Sequence, residues 1–153
     1  MTTYEVTWLG TGHARLDSPD EVDALLAPLQ EAGHPVVVDV FRYRDGKPAG
    51  GVQVGLGHPA RSFALYFGHP EGGYAVEPGT APWDSDIEFS YGGQATDYHP
   101  SETRITPART FEVVRELVGT DERPTCVDWD EQAEPGAREP ADVERVSADD
   151  PWS

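Results

Sequence analysis

Few residues in this 153-residue chain are of types that do chemistry, and their spacing decides which chemistry is open. The five histidines, His13, His34, His58, His69 and His99, fall on turns or strand ends, and no two form a His-x-Glu or His-x3-His pair. Cys126 is the one cysteine, so no intrachain disulfide can form. Zinc needs ligands at recognisable spacing, and these residues do not supply it, so neither a metal nor a cofactor is expected. The Pro-Cys-x-x-Cys motif of zinc deaminases is also missing, so the chain is not itself a deaminase. Cys126 has the atom for nucleophilic attack, but its place inside an alternating run suits a buried small hydrophobe. No Gly-x-Ser-x-Gly elbow occurs. Gly10-Thr11-Gly12 starts like a phosphate loop, yet Arg15 stands where the third glycine belongs and the helix that should follow is displaced. The pairs Asp84/Asp86 and Asp86/Glu88 could do acid–base work if a cleft held them. Period-two acids on a strand are more simply a solvated face. No enzyme activity is expected.

What the carboxylates offer instead is a binding surface. Asp84, Asp86, Glu88, Asp97, Asp128 and Asp130 fall on or near outward strand positions, and Trp83 lies among them in a proline-rich loop. If the strands over Asp86–Tyr91 and Pro124–Asp130 are neighbours, they build one acidic patch with an aromatic anchor. Tryptophan beside charged groups is the usual make-up of an interaction hot spot. Trp83 fits a half-buried loop plug equally well.

The elements that must position these residues are legible in the periodicity. Thr3–Leu9 alternates as a strand with Tyr4, Val6 and Trp8 on one face, and Gly10–Arg15 reads as a loop. Ser18-Pro19-Asp20-Glu21 has the form of a capping box, and Val22, Leu25, Leu26 and Leu29 make a helical stripe that Gly33 ends. Pro35–Tyr43 is a strong strand, with Val36, Val38, Val40 and Arg42 opposed to Val37, Asp39, Phe41 and Tyr43. After the turn at Arg44–Lys47 come strands over Gly51–Gly57, Ser62–Gly68 and Tyr74–Val76. Asp86–Tyr91 alternates with Ile87, Phe89 and Tyr91 inward, and Gln94–Tyr98 returns as a short strand. Thr106 caps a second helix with Pro107 at its first position, Phe111, Val114, Leu117 and Val118 on its apolar face, and Gly119 at its end. Pro124–Asp130 is then a half-buried strand with Val127 and Trp129 in and Asp128 and Asp130 out. Strands joined by short turns mean an antiparallel sheet of about six to eight strands. Two helices can cover one face only, so the expected fold is α+β with the other face partly exposed.

Composition sets the outer bounds. A chain of this length is one domain by the usual prior, here residues 1–130. Residues 131–153 are rich in Pro, Glu, Asp, Ala and Arg and read as an acidic, disordered tail. There is no signal-peptide pattern and no apolar run long enough to span a membrane, which points to a cytoplasmic protein. Net charge is −17; the tail's seven acids and two arginines account for −5, leaving −12 on the body. Such a body is repelled by nucleic acid. It attracts basic proteins and speeds the encounter, although acidity alone also serves solubility.

Four stretches, taken in order, resemble a known family. They are Gly55-Leu56-Gly57-His58-Pro59, Gly72-Gly73-Tyr74-Ala75-Val76-Glu77-Pro78, Asp86-Ile87-Glu88-Phe89-Ser90-Tyr91-Gly92-Gly93, and Gly119–Trp129 with Arg123-Pro124-Thr125-Cys126-Val127-Asp128-Trp129. The set resembles the first-numbered immunity-protein family of bacterial polymorphic toxin systems, across roughly Thr3 to Asp130. The resemblance implies a toxin inhibitor that acts by binding, with a deaminase toxin as partner; charge and composition argue against nucleic acid and membrane as partners. The free protein is expected to be a monomer or weak oligomer. Trp83, Asp84, Asp86, Glu88, Asp97, Asp128 and Asp130 are then the expected toxin contacts, whereas Arg123, Pro124 and Trp129 read as structural. A second reading from another class is a small-molecule or peptide-binding domain that uses the open sheet face. It would need a concave apolar pocket with a few convergent polar groups.

Overall fold

The computed structural model describes residues 1–8, 12–68 and 71–131. The elements in chain order are β1 (Thr2–Trp8), β2 (Gly12–Leu16), a 3-10 turn (Pro19–Glu21), α1 (Val22–Glu31), β3 (Val36–Arg44), β4 (Lys47–Leu56), β5 (Phe63–Phe67), β6 (Gly72–Val76), β7 (Ile87–Tyr91), β8 (Gln94–Tyr98), a second 3-10 turn (Pro100–Glu102), α2 (Pro107–Thr120) and β9 (Asp128–Asp130). The nine strands form one sheet in the order β2-β1-β3-β4-β5-β6-β9. Every pair along that path is antiparallel. The β7–β8 hairpin lies off the path and touches β3 through a single parallel bridge, Val36 to Ser90. The fold is thus α+β, as expected, with one strand more than the upper expectation. The extra strand is β2, which pairs with β1 from Gly12 to Leu16 where the sequence reads as a loop. Glycine and polar residues hide its pattern; Ala14 and Leu16 alone point to the core side. His69 and the tail beyond Glu131 lie outside the described residues.

The alternation in the strands divides the interior into two clusters. Tyr4, Val6, Val36, Val38, Val40, Val52, Val54, Leu56, Ala64, Tyr66 and Ala75 pack against Val22 and Leu26 of α1 and Val113, Val114 and Leu117 of α2. Both helices therefore cover one face. Burying a stripe of this kind contributes about 1.5–3 kcal/mol for each large apolar side chain. On the opposite face Val37, Phe63 and Tyr74 meet Ile87, Phe89 and Tyr98 of the β7–β8 hairpin. The Phe63 ring stacks on Tyr98 at 4.1 Å and meets Phe89 edge-on at 5.2 Å. That hairpin covers only part of its face.

Three local expectations are corrected. Ser18 makes no side-chain cap; Glu21 reaches back to the backbone N–H of Asp17 at 2.7 Å instead. Gly119 does not end α2, which runs to Thr120 and closes with Asp121 in the left-handed region at φ 63°. Asp121 is held there from two strands, β1 and β3. Its Oδ1 lies 2.6 Å from the Tyr4 hydroxyl, its Oδ2 accepts from Arg44 Nε at 3.2 Å, and its carbonyl accepts from Arg42 and Arg44. Those bonds outweigh the glycine preference for this conformation. Gly119 answers a different need: a Cβ there would stand 3.2 Å from Pro19, where α2 passes the 3-10 turn. Lastly, only Asp128–Asp130 of the expected last strand pairs with a neighbour. Thr125 and Cys126 are tied by their backbone N–H groups to the Glu116 carboxylate of α2, at 2.7 and 3.2 Å, and so leave the ladder.

Candidate functional site

The expected contact residues separate into two groups. In the first, Trp83 is half-buried against the Phe63–Phe89 cluster. The Arg61 guanidinium lies 4.8 Å from its ring centroid, and the His58 ring meets it edge-on at 5.5 Å. Arg61 is itself anchored to the Ala81 carbonyl at 2.6 Å, so the loop is clamped from below. Burial, then the charge of Arg61, pushes the His58 pKa down, which suits its role as acceptor of the Ala60 and Arg61 backbone N–H groups. Beside this clamp, Asp84 and Asp86 are exposed, and Asp86 lies 3.2 Å from His99 Nδ1. Glu88 and Asp97 stand directly opposite each other across the β7–β8 ladder, both exposed.

The second group, Asp128 and Asp130, sits on β9 at the far edge of the sheet, opposite Val76 and Tyr74 of β6. The two acidic strands are therefore not neighbours. The physical reason is burial: Ile87 and Phe89 carry β7 over the sheet onto Phe63, whereas β9 adds to the open edge of β6. Alternation nevertheless puts Asp128 and Asp130 on the Tyr74 side, away from Trp129, which faces the helical core. The carboxylates share one side of the sheet without forming a single continuous patch.

Between them the ladder registers define that side residue by residue, with Leu65 and Tyr74 under the hairpin cluster and the rest beyond it. One row runs His13, Thr7, Asp39, Gln53, Leu65, Tyr74, Asp130, from β2 across to β9. The next row runs Arg15, Glu5, Phe41, Gly51, Phe67, Gly72. Gly51 has φ 148°, and a Cβ there would lie 2.0 Å from the Val40 carbonyl oxygen, so only glycine fits. The gap it leaves lets the rings of Phe41 and Phe67 meet edge-to-face at 6.0 Å. Asp39 is 7% exposed, and Gln53 Nε2 donates to it at 2.8 Å. Tyr91, expected to point inward, is 46% exposed, and its hydroxyl faces the Asp39 carboxylate. The reason is position: Tyr91 ends the strand beyond the Phe63 cluster and reaches the polar centre of the sheet. Burial raises the Asp39 pKa, and the hydrogen bonds from Gln53 and Tyr91 only partly oppose this.

Elsewhere the side chains satisfy one another. A cleft of about 600 Å³ is lined by Arg42, Arg44, Tyr66, Asp121, Arg123 and Trp129 among others. Arg42, with its side chain 4% exposed, donates to the Ala49 and Asp121 carbonyls and the Tyr66 hydroxyl. Arg123 donates to the Gly72 carbonyl, and its guanidinium lies 5.6 Å from the Trp129 ring. This cleft is a joint of paired side chains between the end of α2 and the sheet. A smaller cavity of about 280 Å³ separates Ala27 and Gln30 of α1 from Pro107 and Phe111 of α2. Cys126 is half-buried outside any strand, and burial followed by the neighbouring Glu116 pushes its thiol pKa up to about 11. A thiol so held is a poor nucleophile at neutral pH. Among the described residues no three of His, Cys, Asp and Glu are grouped to hold a metal, and no helix is long and apolar enough to cross a membrane.

Sequence reasoning placed Asp39, Phe41 and Tyr43 on one face but did not single them out, and it missed Gln53, Phe67 and the outward turn of Tyr91. The available signal was an aspartate in the middle of a valine-rich strand. No curated protein and no solved structure matches the chain. The family model described as Immunity protein Imm1 matches residues 10–131. That span takes in the clamp at Trp83, the open sheet face from Gly12 onward and both acidic strands, and the chain belongs to the Imm1 family of immunity proteins.

Proposed function

We propose that this protein protects its cell by binding a cognate toxin, a nucleic-acid deaminase, and covering the groove through which the toxin takes its substrate. The carrying observation is that Asp86, Glu88, Asp97, Asp128 and Asp130 lie on the hairpin and edge strand of the sheet side that the helices leave open, in a member of an immunity family. A deaminase must admit a strand of nucleic acid, so its entry groove is basic around a zinc-bound water. An acidic sheet face competes for that groove by the same charge complementarity that brings in the substrate. Trp83, held by Arg61 and His58, is the pre-positioned aromatic contact, with Asp84 beside it. Holding the ring in place before contact reduces the ordering cost of binding. Glu88 and Asp97 stand opposite each other across the hairpin and present two carboxylates side by side to a basic partner. Inhibition is stoichiometric and involves no reaction by this chain. It takes place in the cytoplasm, where the toxin meets its substrate.

The test is co-expression with the toxin domain encoded beside it, followed by purification through a tag on the toxin. Wild type should co-purify and cells should survive. The variant Asp86→Lys/Glu88→Lys and the variant Asp128→Lys/Asp130→Lys should each lose at least about tenfold in affinity, the usual scale for a removed interface charge pair. Unchanged binding in both would sink the acidic-face mechanism while leaving the immunity function standing.

A further inference from the structure

We infer that Asp39 is the receptor for an arginine side chain of the toxin, seated between Tyr91 and the Phe41–Phe67 pair. This deepens the reading just given and rests on it. The carboxylate is central in the open face: Thr7 and Gln53 flank it along one row, and Phe41 follows it on the same strand face. It is 7% exposed, yet among the described residues no lysine, arginine or histidine pairs with it. The nearest basic residue in the adjoining row, Arg15, is bound to Asp17 at 2.9 Å. Its partners, Gln53 and Tyr91, are neutral. A carboxylate taken out of water without a counter-ion is costly, and native proteins keep one where a cation arrives later or where the site is used.

The surroundings specify which cation. Tyr91 is, with Met1, one of the two exposed large hydrophobic residues among those described. Its ring, with the Phe41 and Phe67 rings that meet over Gly51, offers flat aromatic faces beside the carboxylate. A guanidinium stacks on such faces and donates two parallel N–H bonds to a carboxylate; an ammonium does neither as well. On binding, the guanidinium takes over the hydrogen bond that Tyr91 offers and leaves Gln53 in place to orient the second oxygen. This pocket is apart from the outer acids. Those steer the encounter, and Asp39 fixes the register.

Two measurements on the full chain test this. The first is the affinity of purified Asp39→Asn and Tyr91→Ala for the co-expressed toxin domain. Asp39→Asn should weaken it at least about thirtyfold, the scale of a buried hot spot, and Tyr91→Ala about tenfold. Asp39→Asn should melt no lower than wild type, and Tyr91→Ala, which loses a donor to Asp39, should still melt in one cooperative transition, which separates contact from misfolding. If wild type binds and both variants bind equally well, the inference is overturned and the immunity reading stands. The second measurement needs no toxin: an NMR titration of the free protein with acetyl-arginine-amide and with acetyl-lysine-amide. Arginine should give a saturable shift at the Asp39 carboxyl and the Tyr91 ring, absent in Asp39→Asn, and lysine a weaker one. If wild type fails to bind toxin, this titration still decides the question, and no saturable response at Asp39 overturns it. An equal response to lysine overturns the assignment to arginine.

Discussion

Asp39 shows how a single side chain can serve binding at the expense of the free fold. Its raised pKa means that the folded state holds its proton more tightly than the unfolded chain does. The stabilising effect is full below the ordinary aspartate pKa and is lost as pH rises through the folded-state value. Asp39→Asn should therefore make the free protein more stable at pH 7, by on the order of 1 kcal/mol, while it weakens toxin binding. Thermal melts at pH 4 and pH 7 check this, and a variant less stable than wild type at pH 7 contradicts it. Cys126 makes the opposite kind of case. With its thiol pKa near 11, it should react only slowly with iodoacetamide in the folded protein at pH 8, and Cys126→Ala should protect cells like wild type. Alternation alone placed Asp39 on the strand face opposite Val36, Val38 and Val40, without telling which face is outward. Its burial was not legible, because the cover is Tyr91, which arrives from a hairpin far along the chain. The chemistry of Cys126 was legible in outcome but not in cause: it is quieted by Glu116 and burial, not by a place inside a strand.

At the scale of elements, what was legible was whatever the apolar pattern governs. Both helices, β3 and the β7–β8 hairpin fall close to where the apolar pattern puts them, while β4 begins at Lys47, four residues before the expected Gly51. What escaped was decided by polar side chains from distant elements. Asp121 ends α2 because Tyr4, Arg42 and Arg44 hold it. The segment before β9 leaves the ladder because Glu116 claims its N–H groups. These joints are testable. Arg42→Ala should cost about 3 kcal/mol or more, since it strips a buried cation's partners of their donor at once. Glu116→Ala should cost about 1.5–3 kcal/mol and expose Cys126 to alkylation, which thiol labelling can follow. Burial raises the Glu116 pKa, but the hydrogen bonds from Thr125 and Cys126 outweigh it, and the net pKa is lowered. Its stabilising effect is therefore present above the ordinary glutamate pKa and fades as pH falls through the lower folded value. Acid should thus loosen the segment before β9 while it relaxes the strain at Asp39.

For the molecule as a whole, the two acidic strands are not the neighbours that a single patch required, although their carboxylates lie on one side of the sheet. Register cannot be read from a single sequence when a hairpin leaves the main ladder, so the distribution of charge was legible only as a total. That total still has a kinetic signature. With a net charge of −17, association with a basic toxin should slow about tenfold or more between 0.05 M and 0.5 M salt, while dissociation changes little. Stopped-flow mixing reads both rates, and a salt-insensitive association rate contradicts electrostatic steering. The joint at Asp121 has a bearing on time as well. It ties Tyr4 to a residue 117 positions later, and β9 completes the sheet by pairing with β6 after α2 has been made. Contacts of such long range close late and slow the search for the native state. The main apolar cluster lacks half its helical cover until α2 has left the ribosome, so a nascent chain is committed to finishing synthesis before it can neutralise anything. A cell's resistance at any moment then depends on the stock of finished copies, and falls first where translation is interrupted.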